Sequence, residues 1–284
     1  MTGNIVALVD ASIYATSVCD HAAWVARQTG APVEVVHVLG RRAEPAKQDL
    51  SGSIRLGART RLLEELAELD AQRAKLAAHH GRAILDDARD AVARHGVTGI
   101  TTRLRHGDIV EAISEIEGTA RVIVIGKRGE AADFAKGHLG SNLERIVRAA
   151  HRPVFVASRA FRLVETVLVA LDGGPSSMKA VDHVARDPLF TGLAVTLVTV
   201  GSDTPESRNA LAQARARLQG AGREAATLIV PGQPATELGK LVERDGFGML
   251  VMGAYGHSRI RSLIVGSTTT EMVRTCKVPV LLVR

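Results

Sequence analysis

Cysteine is scarce in this sequence of 284 residues, which contains only Cys19 and Cys276. Two thiols can build neither a disulfide framework nor a four-ligand zinc site, and they suit a reducing compartment. We also expect no secretory signal, because no basic segment leads into an apolar stretch with a small-residue cleavage site. We therefore expect a cytoplasmic protein.

Aromatic residues are rare as well, at 3% of the chain, so few rings are available to stack on nucleic-acid bases. No apolar run approaches the roughly 20 residues that a membrane span requires. Lys and Arg outnumber Asp and Glu by only 36 to 30, and the basic residues are scattered. This pattern indicates a mixed, solvated surface, and we expect neither a nucleic-acid nor a membrane partner.

An internal repeat is the main feature that the sequence does contain. Each half opens with an apolar strand-like segment that ends in aspartate, Asp10 in the first half and Asp172 in the second. Further strand-like segments follow in the same order, with helical stretches between them. The matching segments are 5–10 and 167–172, 33–38 and 195–200, 122–126 and 249–253, and 153–157 and 279–283.

Near-continuous Val, Ile and Leu segments that alternate with helices are typical of parallel strands covered on both faces. Right-handed crossovers then predict two tandem, doubly wound, Rossmann-like α/β domains. We assign domain 1 to residues 1–158 and domain 2 to residues 163–284, with an extra helical stretch at about 41–106 in domain 1. The short join at 159–162 should keep the two domains close together.

The extra stretch contains an amphipathic segment, in which Leu62, Leu66, Leu69 and Leu76 mark one helical face. We expect a long crossover helix that packs on its own sheet. The alternative is a helix that binds a partner.

Glycine loops in the second half point to an anion site. Gly253 and Gly256 follow a strand, and nine residues later Gly266-Ser267-Thr268 precedes a helical stretch. Loops at the carboxyl edge of a parallel sheet bind ligands, and backbone N–H groups at a helix N-terminus favour phosphate. The alternative is that the glycines only form turns and Ser267 is an N-cap. The complete set at the expected strand edges favours the anion site.

The spacing Gly-x2-Gly-x9-Gly-Ser, together with Asp172 and a terminal Val-Pro-Val strand, resembles the universal stress protein family. The resemblance covers essentially the whole chain as two tandem domains, and it implies adenine nucleotide alpha hydrolase-like domains arranged as a pseudo-twofold unit. It also implies that ATP, with Mg²⁺ bound mainly to its phosphates and no metal-ligating side chains, lies along the second-half loops. The implied nucleotide-binding residues are Asp172, Val200, Met252, Gly253, Gly256, Gly266, Ser267 and Thr268.

The first half departs from this pattern by one residue, because ten residues separate its loop glycines from Gly140. The longer loop is also more charged, so its basic residues could meet phosphate, could meet a different anion, or could simply face solvent. The equivalent nucleotide-binding set there is Asp10, Val38, Gly126, Lys127, Arg128, Gly129, Gly140, Ser141 and Asn142. We expect the two sites to differ in affinity.

The sequence supplies no convincing catalytic set, because Ser141 and Ser267 have no identifiable base partner. The resemblance therefore implies a nucleotide-binding stress-response or regulatory protein with at most slow ATP hydrolysis. An ATP-cleaving or adenylyl-transferring enzyme of related architecture and a nucleotide-free partner scaffold are the alternatives.

The last strand of each half is short and apolar, and it would be an exposed sheet edge if its domain stood alone. In the family resembled here, such strands pair antiparallel between domains. We therefore expect residues 153–157 to pair with 279–283 within the chain, which leaves further dimerisation of the whole chain open.

Overall fold

The computed structural model describes residues 3–40, 56–129, 140–254 and 266–284, with side chains from residue 61 onward in the second segment. Strands and helices alternate through these ranges. The strands are β1 (Asn4–Leu8), β2 (Val33–Leu39), β3 (Ile100–His106), β4 (Ala120–Gly126), β5 (Val154–Ala157), β6 (Thr166–Ala170), β7 (Ala194–Val200), β8 (Ala225–Val230), β9 (Met249–Gly253) and β10 (Val280–Val283). The helices are α1 (Ala15–Thr29), α2 (Leu56–Ala93), α3 (Ile109–Ile116), α4 (Ser141–Ala149), α5 (Pro175–Arg186), α6 (Pro205–Gly220), α7 (Pro234–Arg244) and α8 (Ser267–Thr275).

All ten strands join one sheet, in the order β3-β2-β1-β4-β5-β10-β9-β6-β7-β8. Counted from the outer edge of the sheet inward, the two halves have the same strand order, β3-β2-β1-β4-β5 in the first and β8-β7-β6-β9-β10 in the second. Every pair of neighbouring strands within a half is parallel. The halves meet where β10 runs antiparallel to β5, with Leu281 opposite Phe155. The prediction of two doubly wound parallel-sheet domains related by a pseudo-twofold axis is confirmed.

The sheet is buried on both faces, which explains its unbroken aliphatic strands. In β1, Ile5 and Ala7 pack on one face with α1, α2, α5 and α6, whereas Val6 and Leu8 pack on the other with α3, α4, α7 and α8. Local signals set the helix ends: α1 stops at Gly30, whose φ of 68° is left-handed, and α6 begins with a capping box between Thr204 and Ser207.

Buried polar contacts also join the two halves. The Arg121 guanidinium in β4 donates to the Asp187 carboxylate just after α5 at 2.7 Å, with both side chains almost fully buried. Two further contacts are reciprocal, because a cation from each half caps the C-terminus of a helix in the other. The Lys127 ammonium donates to the Cys276 carbonyl at the end of α8, and Arg284 Nη1 lies 3.3 Å from the Ala150 carbonyl after α4.

The structure corrects the description of the extra stretch in domain 1. Residues 41–55 lie outside the described residues, and residues 100–106 form strand β3 rather than helix. The expectation that the long helix packs on its own sheet holds only from Gly81 onward. Between residues 61 and 80, every side chain except Leu62 and Ala78 is exposed. The crossover needs only the C-terminal part of α2 to cover β2 and β3.

In the part of the chain that the structure describes, no helix combines the length and apolarity required for a membrane span.

Candidate functional site

The candidate sites lie where the strand order reverses in each half, between β1 and β4 and between β6 and β9. At such a point the crossover helices leave the sheet in opposite directions and open a crevice at the carboxyl edge. Asp10 follows β1 and Asp172 follows β6, so each half places one carboxylate at this crevice.

Both aspartates use one oxygen to shape the turn into the next helix. Asp10 Oδ1 accepts from the Ser12 backbone N–H at 3.0 Å, and Asp172 Oδ1 accepts from the Gly174 N–H at 2.8 Å. In the first half, a Cβ at Gly129 would lie 2.8 Å from Asp10 Oδ2, closer than real Cβ contacts come. Glycine at this position therefore lets the loop after β4 approach the carboxylate.

The first glycine of each loop is required for packing against a neighbouring helix. A Cβ at Gly126 would lie 2.7 Å from the Cβ of Tyr14, and one at Gly253 would lie 2.8 Å from the Cβ of Ser176. The strand end thus passes close over the start of α1 or α5. Gly253 is tied further to α8, because Thr269 Oγ1 donates to its carbonyl at 3.3 Å. Gly256 lies outside the described residues.

The third glycine of each set is the N-cap of the helix that follows. Gly140 precedes α4 and Gly266 precedes α8, and among the described residues neither N-terminus has a side-chain cap, since glycine at the N-cap position has no side chain to supply one. The first backbone N–H groups of a helix lack partners within it, and the helix dipole places partial positive charge there. Ser141, Asn142 and Ser267 are exposed at these termini, so an anion can reach them.

The ends of β2 and β7 differ between the halves. Val38 and Val200 are half-buried at matching positions, each packed on the α3 and α7 face of the sheet. Their preceding residues diverge: His37 Nδ1 lies 2.8 Å from the Val9 carbonyl, whereas Thr199 Oγ1 is buried and has no hydrogen-bond partner among the described residues. The repeat aligns Thr199 with His37, but a single sequence does not show that the Thr199 hydroxyl is buried.

Lys127 does not turn toward the candidate phosphate region. Its side chain is buried and donates to the Cys276 carbonyl of the other half, and this burial lowers the pKa of the Lys127 ammonium. Burial likewise raises the pKa of the Cys276 thiol, which makes it a poor nucleophile. Arg128 is half-buried beside Gly129, and Met252 is buried at the end of β9.

Within the described ranges, no group of three or more His, Cys, Asp or Glu side chains is arranged to hold a metal ion. What each crevice does offer is a carboxylate at the same edge of the sheet as the N-terminus of a helix that begins after a glycine N-cap. A carboxylate accepts hydrogen bonds from hydroxyl groups, and the helix N-terminus binds anions. A ligand with a sugar hydroxyl at one end and phosphate at the other matches both.

Comparison with known proteins gives a consistent result. The sequence model described as "Universal stress protein family" matches residues 1–158 and 164–284. Universal stress protein Slr1230 of a Synechocystis species is 34% identical over 99% of both chains. Universal stress protein Rv2005c of Mycobacterium tuberculosis is 26% identical, covering 69% of this chain and 73% of its own.

A solved structure of similar length shows the same fold. A universal stress protein from Archaeoglobus fulgidus superposes with a TM-score of 0.75 at 19% identity, over 99% of this chain and 98% of that one. A universal stress protein solved in complex with cAMP is 27% identical, with a TM-score of 0.38, and covers 43% of this chain and 98% of its own.

Proposed function

The chain belongs to the universal stress protein family, and from this premise we propose that it binds an adenine nucleotide at the carboxyl edge of its sheet, ATP together with Mg²⁺. The protein then acts as a regulatory component of a stress response, in the cytoplasm, with at most slow ATP hydrolysis. The observation that supports this most is the N-terminus of α8, which follows a glycine N-cap and lies at the same sheet edge as the Asp172 carboxylate.

The sugar and the phosphates of the nucleotide each have a matching group in the second half. Asp172 would accept hydrogen bonds from the ribose hydroxyls, and the backbone N–H groups of Ser267 and Thr268 would bind phosphate oxygens.

Magnesium would be carried by the phosphates. Mg²⁺ keeps several water ligands and is commonly held by substrate phosphates rather than by a protein cage. It would neutralise phosphate charge near the helix N-terminus.

The first half provides a second, different site. Asp10 lies against Gly129, and Gly140 donates through its N–H to the Lys127 carbonyl at 3.3 Å, so the loop ends are drawn together beside the carboxylate. His37 occupies the position of Thr199 and already has a hydrogen-bond partner. We therefore propose unequal affinities for the two halves.

Titration calorimetry of the whole chain with MgATP tests the proposal, with GTP and cAMP as competing ligands. Gly266→Val should abolish one class of site, because the backbone there (φ −57°, ψ 144°) accepts valine but the side chain blocks close approach of phosphate. Asp172→Asn keeps an oxygen for the Gly174 N–H and removes the charge. It should weaken binding about 10- to 100-fold, the usual effect of a charged hydrogen bond.

Gly239→Val is the matched control, because a Cβ at Gly239 meets no atom within 4 Å and the residue lies in α7. It should leave the isotherm unchanged. An isotherm that is the same for Gly266→Val as for the wild type would refute the second-half site. Absence of any nucleotide binding would favour a partner scaffold, and rapid release of phosphate would favour an enzyme.

A further inference from the structure

The two helices that follow the loop glycines, α4 and α8, each connect one candidate site to the other half of the chain. Each begins after a glycine N-cap, Gly140 or Gly266, at the carboxyl edge of its own half. It then runs back to the opposite edge of the sheet, because it joins two parallel strands. Since β5 and β10 are antiparallel, the carboxyl edge of one half continues into the opposite edge of the other. The N-terminus of α4 and the C-terminus of α8 therefore lie at the same edge of the sheet.

Lys127 contacts both helices at this edge. Its backbone carbonyl accepts a hydrogen bond from the Gly140 N–H at 3.3 Å, at the start of α4. Its side chain is 8% exposed, and the ammonium donates to the Cys276 carbonyl at the end of α8. A cation at a helix C-terminus stabilises the helix through the carbonyl groups and the dipole. One residue of the first-half loop thus holds the helix whose N-terminus belongs to the second-half site.

Arg284 makes the equivalent contact at the other edge. Its Nη1 lies 3.3 Å from the carbonyl of Ala150, the C-cap residue of α4, as Cys276 is the C-cap residue of α8. Arg284 directly follows Val283, which pairs with Gly253 of the second-half site. Each helix therefore has its N-terminus at the site of its own half and its C-terminus capped by a cation beside the site of the other half.

Packing makes the two helices suitable for carrying a displacement between the sites. Ile146 of α4 and Met272 of α8 are fully buried in one hydrophobic cluster with β5 and β10. Each helix has nine residues and is about 14 Å long, so it moves as one rigid piece. A change in position at one end of such a helix is therefore passed to the other end.

We propose that nucleotide binding in the first half strengthens nucleotide binding in the second, and that Lys127 is the residue that links the two sites. This inference rests on the proposed function, because it concerns the same two sites. Phosphate at the N-terminus of α4 would fix Gly140, whose N–H holds the Lys127 carbonyl. Lys127 would then hold the C-terminus of α8 in one position, so that the second phosphate binds a helix that is already ordered. Coupling between binding sites is reciprocal, so a nucleotide in the second half strengthens binding in the first by the same factor.

Amide hydrogen exchange of the Gly266→Val chain tests the coupling, because this variant should bind nucleotide in the first half alone. Exchange is compared within that one chain, with and without MgATP. Binding should slow exchange of residues 272–276, the last turn of α8, about 5-fold, which is the lower end of the usual coupling between two sites. The amides of α6, which lies in the same half on the opposite face of the sheet, should not change.

Lys127→Met in the Gly266→Val background tests the role of the ammonium. The Cys276 carbonyl loses its donor, so the slowing of residues 272–276 should disappear when MgATP is raised until one nucleotide is bound. Lys277→Met is the matched control, because Lys277 follows Cys276 directly but its ammonium is exposed and pairs with Glu243 at 3.0 Å. That control should retain the slowing. Loss of the slowing in both variants, or in neither, would overturn the proposal.

Native mass spectrometry of the same samples counts the bound nucleotides and separates this inference from the proposed function. A Gly266→Val chain that binds no nucleotide would refute the first-half site and the coupling with it. One bound nucleotide without slower exchange in residues 272–276 would refute the coupling alone. Circular dichroism checks that each variant is folded. If Lys127→Met unfolds the chain, the exchange of Gly266→Val still decides whether the halves are coupled.

Discussion

Removal of the buried ion pair between the two halves should reveal how strongly they are coupled. Arg121 in β4 and Asp187 after α5 lie 2.7 Å apart, with 6% and 2% of their side chains exposed. Asp187→Asn is the sharper change, because the amide oxygen can still accept from the Leu189 N–H as Asp187 Oδ1 does at 2.9 Å. Only the charge facing Arg121 is lost.

The expected loss in the free energy of unfolding follows from the burial of both side chains. Breaking a buried ion pair by removing one partner typically destabilises by about 3–5 kcal/mol, since the remaining charge is left without its counterion. A domain is stable by only about 5–15 kcal/mol, so Asp187→Asn should shift unfolding strongly. Arg121→Met should cost a similar amount. The double variant should cost much less than the two single changes together, because no lone charge remains.

Urea unfolding followed by Trp24 fluorescence and by circular dichroism measures these differences, and it reports whether the halves unfold together. Arg208→Met, which removes the solvent-exposed pair with Asp203, is the control and should leave the midpoint nearly unchanged. Additive effects of Asp187→Asn and Arg121→Met would mean that the two side chains do not interact. The reasoning on the interface would then be refuted.

Two further predictions concern acid stability and the central strands. Burial of His21 lowers its pKa to about 4, while an unfolded histidine titrates near 6.5, so the unfolded chain takes up the proton first. Acidification from pH 7 to pH 4 should therefore lower the free energy of unfolding by about 3 kcal/mol through this group, and His21→Gln should flatten that pH dependence in urea titrations. Amides of 154–156 and 280–282 should exchange far more slowly than those of surface loops, because β5 and β10 pair; exchange at loop rates would contradict the pairing in solution.

Much of the fold could be predicted from the sequence because strands buried on both faces consist of unbroken Val, Ile and Leu. The repeat then fixed which segments correspond, and it placed Asp10 and Asp172 at the same edge of the sheet. The strand ends were predicted less accurately. The first strand was expected to reach Asp10, but β1 ends at Leu8. The chain leaves the ladder where the Asp10 carboxylate accepts a hydrogen bond from the Ser12 backbone.

Contacts that a side chain makes with the opposite half of the chain could not be predicted from the sequence. Lys127 stands next to a loop glycine, which suggests a phosphate contact, yet its ammonium is drawn to a helix C-terminus of the other domain. The exposure of residues 61–80 in α2 could not be predicted for a related reason. A leucine stripe has the same sequence pattern whether the helix packs on its own sheet or projects from it. The burial of the Thr199 hydroxyl, which has no hydrogen-bond partner among the described residues, could not be predicted from a single sequence.

Native mass spectrometry of the purified chain, titrated with MgATP, tests nucleotide binding most directly. Our account predicts bound species carrying one and then two nucleotides per chain at different concentrations, with the Gly266→Val variant limited to one. A chain that binds no nucleotide at millimolar MgATP, or a Gly266→Val variant that fills as the wild type does, would contradict it.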